Sequence, residues 1–102
     1  MEISVENGAV IKVSVAGTIS TIEDSDSIVT HIKDAATQHP NKEIHLVIED
    51  SYIILSRLIG SLLKLIKQDN LKISMFAGEE NLVNLLKKLG LDEVFNVRKI
   101  DL

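Results

Sequence analysis

Residues 44–63 read IHLVIEDSYIILSRLIGSLL, and this stretch decides the architecture of the chain. Its first five residues are aliphatic or β-branched apart from one histidine, over a length typical of a buried central strand. From residue 56 to residue 68 the apolar residues instead recur at helical spacing. The stretch therefore predicts a buried strand that leads into an amphipathic helix, whose inward residues are Leu58, Ile59, Leu62, Leu63 and Ile66.

The sequence before this stretch predicts a β-hairpin followed by a helix. Apolar and polar residues alternate on both sides of Asn7-Gly8, a dipeptide that tolerates the positive φ angles of a tight turn. The helix should begin near Thr21, which forms a capping-box pattern with Asp24, and residues 39–41 should end it. The expected core residues are Ile3, Val5, Ile11, Val13 and Val15 in the hairpin and Ile28, Val29, Ile32, Ala35 and Ala36 in the helix.

The sequence after the stretch predicts another strand at residues 71–77 and a third helix after Gly78. Gly90 should cap that helix in the left-handed conformation, with Leu91 folded back, before a short closing strand at residues 94–97. The inward residues of the helix are predicted to be Leu82, Leu85, Leu86 and Leu89. The order ββαβαβα, with a final strand, predicts one α/β domain over residues 1–102. An N-terminal antiparallel hairpin would join parallel central strands in a mixed β-sheet with helices packed on it.

Composition restricts the classes of function. The 102 residues carry a net charge of −4 without a lysine or arginine cluster, which argues against nucleic-acid binding. The chain has no cysteine, so a disulfide framework or a thiol nucleophile is excluded. No apolar run reaches the roughly 20 residues needed to span a bilayer. We therefore expect a cytoplasmic protein without membrane insertion, monomeric or, as the alternative, a weak dimer.

Three segments resemble STAS domains, the family of the anti-sigma-factor antagonists. Residues 44–63 are similar to the family's central strand, its Asp-Ser-Ser-Gly-Leu-Gly motif and the apolar helix that follows. Residues 71–97 resemble the next strand, helix and Leu-Gly-Leu-Asp-Glu-Val-Phe segment. Residues 17–20, Gly-Thr-Ile-Ser, stand where the family has Gly-x-Leu-Asp. The resemblance covers nearly the whole chain and implies a STAS-type fold.

The resemblance also implies a mechanism without catalysis. Such bacterial proteins bind a serine kinase that is also an anti-sigma factor, and phosphorylation of a serine at the start of the second helix switches the partner in transcriptional signalling. A phosphatase is a further candidate partner. Ser56 is the candidate phosphoacceptor, and a phosphate there would add about −1.5 to −2 charge. The candidate partner-interface residues are Thr18, Ser20, Arg57, Leu58, Gly60 and Ser61.

The sequence departs from the family pattern at the switch. In the gapless alignment anchored on Gly60, Ser56 matches the first serine, Leu55 replaces the aspartate and Arg57 replaces the usually phosphorylated serine. A one-residue shift places Ser56 at the phosphoacceptor position but loses the Gly60 match. Ser20 likewise replaces the family aspartate after the second strand. Ser56 is therefore interpreted as a phosphoacceptor, as an N-cap, or as both.

Several alternatives stay open at this point. Arg57 is either a ligand for a phosphate or an acidic partner, or a solvated residue of the first helical turn. The apolar residues 52–55 form either an exposed docking patch or a buried strand end. The runner-up function is a constitutive STAS subunit of a transporter ATPase or a sensory scaffold, and a small-ligand sensor is a third reading.

The sequence contains no motif that indicates catalysis or metal binding. His31, His39 and His45 do not have metal-ligand spacing. The five glycines do not form a phosphate-binding loop, and no nucleophile motif or carboxylate pair stands out. We therefore expect neither an enzyme nor a cofactor.

Overall fold

A five-stranded mixed sheet, in the order β1-β2-β3-β4-β5, organises the protein. The computed structural model describes residues 1–101. The first two strands form an antiparallel hairpin, and every later pairing is parallel. The α/β class, the hairpin and the parallel centre are therefore confirmed. The elements are β1 (Glu2–Asn7), β2 (Ile11–Ala16), α1 (Ile22–Gln38), β3 (Ile44–Ile48), α2 (Ser56–Lys67), β4 (Ile73–Ala77), α3 (Glu80–Lys88) and β5 (Arg98–Lys99).

All three helices pack on the same face of the sheet. Each strand-helix-strand unit advances by one strand in the same direction, and right-handed crossovers then place every helix on one side. Residues of the covered face alternate along the strands and join the helices in one core. This core includes Ile11, Val13, Val15, Ile44, Leu46, Ile48, Ile73, Met75 and Ala77 from the strands and Ile28, Ile32, Leu58, Leu62, Leu65, Leu82 and Leu86 from the helices. The opposite face has no helix over it within residues 1–101.

Local sequence signals explain where α1 begins and where α3 ends. Thr21 caps α1 by accepting a hydrogen bond from the N–H of Asp24, whose carboxylate accepts from the N–H of Thr21, so the predicted capping box is confirmed. Gly90 has φ 71° after α3, and the N–H of Leu91 donates to the carbonyl of Leu86 at 2.9 Å. The left-handed cap with Leu91 folded back is also confirmed.

The closing strand lies later than predicted. Residues 92–96 form turns rather than a strand, because the N–H groups of residues 95–97 bond to carbonyls three to five residues earlier and Asn96 adopts φ 47°. These turns bury Phe95 completely. The pairing with β4 begins only at Arg98. The predicted strand at residues 94–97 is therefore wrong in position, although a closing strand exists.

Three finer expectations are also wrong. The hairpin loop spans residues 8–10, so neither Asn7 nor Gly8 has the positive φ of a two-residue turn. Val5 is 45% exposed, because β1 lies at the sheet edge beyond the cover of α1. Leu89 is 53% exposed, because it is the C-cap of α3 and has left the inward stripe. Leu65 and Val83 are core residues that the helical stripes did not include.

Candidate functional site

The loop after β2 and the segment before α2 meet at one end of the sheet. The strands β2 and β3 are parallel neighbours, so their carboxyl ends lie side by side. The N–H of Gly17 donates to Oδ1 of Asp50 at 2.7 Å. The loop of residues 17–20 is thereby bonded to the segment that leads from β3 into α2. We call residues 17–20, together with residues 56–61 at the start of α2, the loop–helix surface.

The buried side chain of Ser51 links the loop to the segment before α2. Its hydroxyl accepts a hydrogen bond from the N–H of Ile19 at 3.1 Å and donates to the carbonyl of Ile53 at 2.8 Å. The side chain is completely buried, so both bonds form away from bulk water, where an unpaired polar group is costly. Ser51 therefore couples the position of the loop to that of the segment leading into α2. Sequence reasoning missed this role, although an Asp50-Ser51 pair one residue beyond a buried strand was visible.

The loop presents alternate residues to solvent. Ile19 is fully buried and anchors the loop in the core, whereas Thr18 and Ser20 are exposed. The N–H of Ser20 donates to Oδ2 of Asp24 at 3.1 Å. This bond, with those involving Thr21, holds the pKa of the Asp24 carboxyl below its ordinary value. The backbone that carries Thr18 and Ser20 is thus hydrogen-bonded both to the segment before α2 and to Asp24 in α1.

The start of α2 differs from the expected cap. Ser56 is the first helical residue, and the N-cap position belongs to Leu55, which has extended backbone and cannot cap through its side chain. The interpretation of Ser56 as an N-cap is therefore wrong. Leu55 is half-buried with extended backbone, and the backbone becomes helical only after it. The hydroxyl of Ser56 is consequently on an exposed residue beside first-turn N–H groups that no side chain caps.

Residues 52–55 are neither a strand end nor a continuous exposed patch. They have no regular secondary structure, so the strand-end reading is wrong. Tyr52 is 56% exposed, Ile54 is buried, and Ile53 and Leu55 are half-buried. Only Tyr52 offers a large apolar side chain to solvent from this segment.

Arg57 bonds within the chain rather than standing free in solvent. Its Nε donates to Oδ1 of Asp26 at 2.8 Å, and its Nη2 donates to Oδ2 at 3.2 Å. These hydrogen bonds lower the pKa of the Asp26 carboxyl and raise that of the guanidinium. Both side chains are exposed, so solvent screens the pair. The bidentate geometry nevertheless ties the first turn of α2 to α1, a contact that neither sequence interpretation of Arg57 included.

The remaining interface candidates differ in accessibility. Leu58 is fully buried in the core and has no surface to offer a partner, so its assignment to the interface is wrong. Gly60 is exposed, and a methyl group added to it would meet no atom within 4 Å. Ser61 is half-buried. The accessible part of the surface therefore consists of Thr18, Ser20, Ser56, Arg57, Gly60 and part of Ser61.

The titratable residues do not gather into a metal-binding group. Across residues 1–101, no cluster of three or more histidine, aspartate or glutamate side chains has the geometry to hold a metal ion. His45 lies 3.3 Å from Oε1 of Glu43, and Nδ1 of His31 lies 2.7 Å from the carbonyl of Ser27, so each has a separate local partner. Within the same range, every helix is too short or too polar to cross a membrane.

Comparison of the sequence with protein-family models gave no match, and comparison with curated proteins gave no significant match.

Proposed function

We propose that this protein is a STAS-type regulatory domain that acts in the bacterial cytoplasm by binding another protein through the loop–helix surface. The partner would be a serine kinase of the anti-sigma type. The observation that carries the proposal is that the loop with exposed Thr18 and Ser20 is hydrogen-bonded to Asp50 and Ser51, in the segment that leads into exposed Ser56. Two solvent-facing segments far apart in sequence are thereby linked.

The first turn of α2 suits a reversible phosphate at Ser56. Its N–H groups carry partial positive charge and lack a side-chain acceptor, and no acidic residue lies in that turn to repel a phosphate. Arg57 is adjacent and can share its guanidinium between Asp26 and the phosphate. A phosphate here would leave the fold intact and change only the charge presented to the partner, which is what a partner switch requires.

The test is affinity purification from the native cell with wild type, Ser56→Ala and Ser56→Asp, followed by mass spectrometry. Wild type and Ser56→Ala should recover the same kinase-like partner, and Ser56→Asp should not. Asn81→Asp is the matched control, because it adds the same charge to the exposed first turn of α3. Equal recovery by all four proteins would refute the switch.

A second function is favoured by the Arg57–Asp26 pair. An arginine already engaged in a bidentate bond has a structural role that needs no phosphate. The protein would then be a constitutive subunit of a transporter ATPase or a sensory scaffold, with Tyr52 as an apolar contact. This reading predicts one stable partner that is recovered equally by wild type and Ser56→Asp and is unaffected by phosphatase treatment.

A further inference from the structure

The strand β1 has one edge that pairs with no other strand in the described chain. It spans Glu2–Asn7, pairs with β2 on one side only, and is the outermost strand of the sheet. Proteins usually protect such an edge with proline, charged side chains (lysine above all), a bulge or a covering segment. The sequence EISVEN contains neither proline nor lysine, its charged residues Glu2 and Glu6 flank an uncharged stretch at 3–5, and its six residues pair with β2 without a bulge. The edge is therefore long, regular and open to a further strand.

The direction of the backbone groups along β1 follows from the neighbouring ladder. The N–H of Ile11 donates to the carbonyl of Glu43, and the carbonyl of Val15 accepts from Glu49, so the odd residues of β2 bond toward β3. The even residues of β2 then bond toward β1, where their partners are Glu2, Ser4 and Glu6. The N–H and carbonyl groups of Ile3, Val5 and Asn7 consequently point outward from the edge.

Val5 lies at the centre of these outward groups and is poorly covered. Its side chain is 45% exposed on the helix-bearing face. A groove beside it runs between β1 and α1, with Ile11 and Ala35 among its lining residues and His31 and Asp34 along its side. An added strand would therefore gain backbone hydrogen bonds and would also cover apolar surface.

We propose that two copies of this protein associate by antiparallel pairing of their β1 strands about a twofold axis. The result is a continuous ten-stranded sheet. The axis passes between Val5 and Val5 of the second copy, so the outward groups of Ile3, Val5 and Asn7 all find partners. Because the axis is perpendicular to the sheet, the helices of both copies lie on the same side. This inference is independent of the proposed function.

Charge selects this register over its neighbour. Pairing centred on Ser4 would place Glu2 directly opposite Glu6 of the other copy, twice over, and opposed like charges destabilise a strand pair. Pairing centred on Val5 places Glu6 opposite Ser4 and Glu2 opposite Gly8. An edge pairing buries less than the roughly 1,200–2,000 Å² of a standard interface, so the association is weak and depends on concentration.

Amide hydrogen exchange followed by NMR tests the proposal on the unmodified protein. On raising the concentration from micromolar to millimolar, the amides of Ile3, Val5 and Asn7 should become protected. Those of Ser4 and Glu6 should be protected throughout, because they bond to β2. Sedimentation should show a dimer over the same range. A monomer at millimolar concentration, or a dimer without this alternating protection, would overturn the inference.

Substitutions distinguish the edge from the helix-free face of the sheet. Val5→Pro removes one outward N–H donor from each copy, and so two from the dimer, without changing the hydrogen bonds to β2. It should therefore weaken self-association by roughly tenfold or more. Val5→Thr keeps both donors and should leave it nearly unchanged. Phe76→Lys alters the helix-free face and should also leave it unchanged. Dissociation by Phe76→Lys in place of Val5→Pro would overturn the inference.

Oxidative cross-linking reports the register, because the natural chain has no cysteine. In the proposed register the two copies of position 5 face each other with Cα atoms about 5.5 Å apart, within reach of a disulfide. Val5→Cys should therefore cross-link to a dimer faster than Ser4→Cys. Faster cross-linking of Ser4→Cys would contradict the register.

Discussion

Replacing Gly60 with alanine should make the protein more stable. Gly60 lies inside α2 and has no positive φ, and an added Cβ would contact nothing within 4 Å. Alanine is better than glycine in a helix interior by about 1 kcal/mol, because it restricts the unfolded chain and loses little on folding. With neither steric conflict nor backbone strain to oppose it, Gly60→Ala should gain nearly that whole amount. For a domain of this size, the corresponding rise in Tm is about 4–8 °C.

Urea denaturation followed by circular dichroism measures this gain. The midpoint should rise while the m-value stays unchanged, which shows that stability rather than compactness has altered. Gly17→Ala is the matched control: Gly17 has φ 98°, and its new Cβ would lie 3.1 Å from Cα of Met1, so this variant should be less stable. A lower midpoint for Gly60→Ala would refute the reasoning about its environment.

The same variant separates the needs of the fold from those of a partner. Since the fold does not require a glycine at residue 60, an interface that does require one would lose affinity as the protein gains stability. If the proposed partner packs closely on the backbone at residue 60, Gly60→Ala should capture less of it than wild type, although more of the variant is folded. Equal capture would show that the partner does not approach the backbone there.

Three further changes test the packing and electrostatics described above. Leu58→Ala should lose about 2–5 kcal/mol of unfolding free energy in urea denaturation, because the side chain is fully buried; a loss near zero would place it outside the core. Thr21→Ala should lose about 1 kcal/mol by the same assay, because it removes the cap of α1, and no loss would mean that the cap is not formed in solution. Asp26→Asn removes the carboxylate that pairs with Arg57. In wild type the pKa of Asp26 is lower in the folded state than in the unfolded state, so the stabilisation by Arg57 is fully present above the unfolded-state pKa. It disappears as the pH falls through the folded-state pKa. The variant should be less stable than wild type at neutral pH and equal to it in strong acid, and a difference independent of pH would contradict the ion pair.

The sequence predicted best those features that depend on adjacent residues. The capping box joins residues three apart, and the Gly90 cap needs one left-handed residue, so both are visible locally. The five-residue strand β3 was recognisable because it is buried on the covered face and apolar throughout except His45. The bonding of the loop after β2 to the segment after β3 reflects one topological step, the parallel pairing of β2 with β3.

The features that the sequence did not predict depend on distant residues or on small shifts in backbone. Arg57 and Asp26 are 31 residues apart, and nothing local indicates their pairing. Ser56 has the chemistry of a good cap, but the backbone is extended only as far as Leu55, so Ser56 is already the first helical residue. Burial of Phe95 requires turns at residues 92–96, so it displaces a strand that hydropathy alone would place there.

Both ends of the described chain lie close to Gly17 or to Asp50, the residue that Gly17 bonds to. Met1 lies against Gly17, and Lys99 and Asp101 line the same depression as Asp50. A purification tag or fluorescent protein joined at either end would therefore stand over the surface whose partner is sought. The hairpin loop at residues 8–10 lies at the far end of the strands, and exposed loop tips tolerate insertion well. An epitope inserted at Ala9 would leave the surface unobstructed. Comparing it with terminal tags would show whether a failed capture means that no partner binds or that the tag blocks the surface.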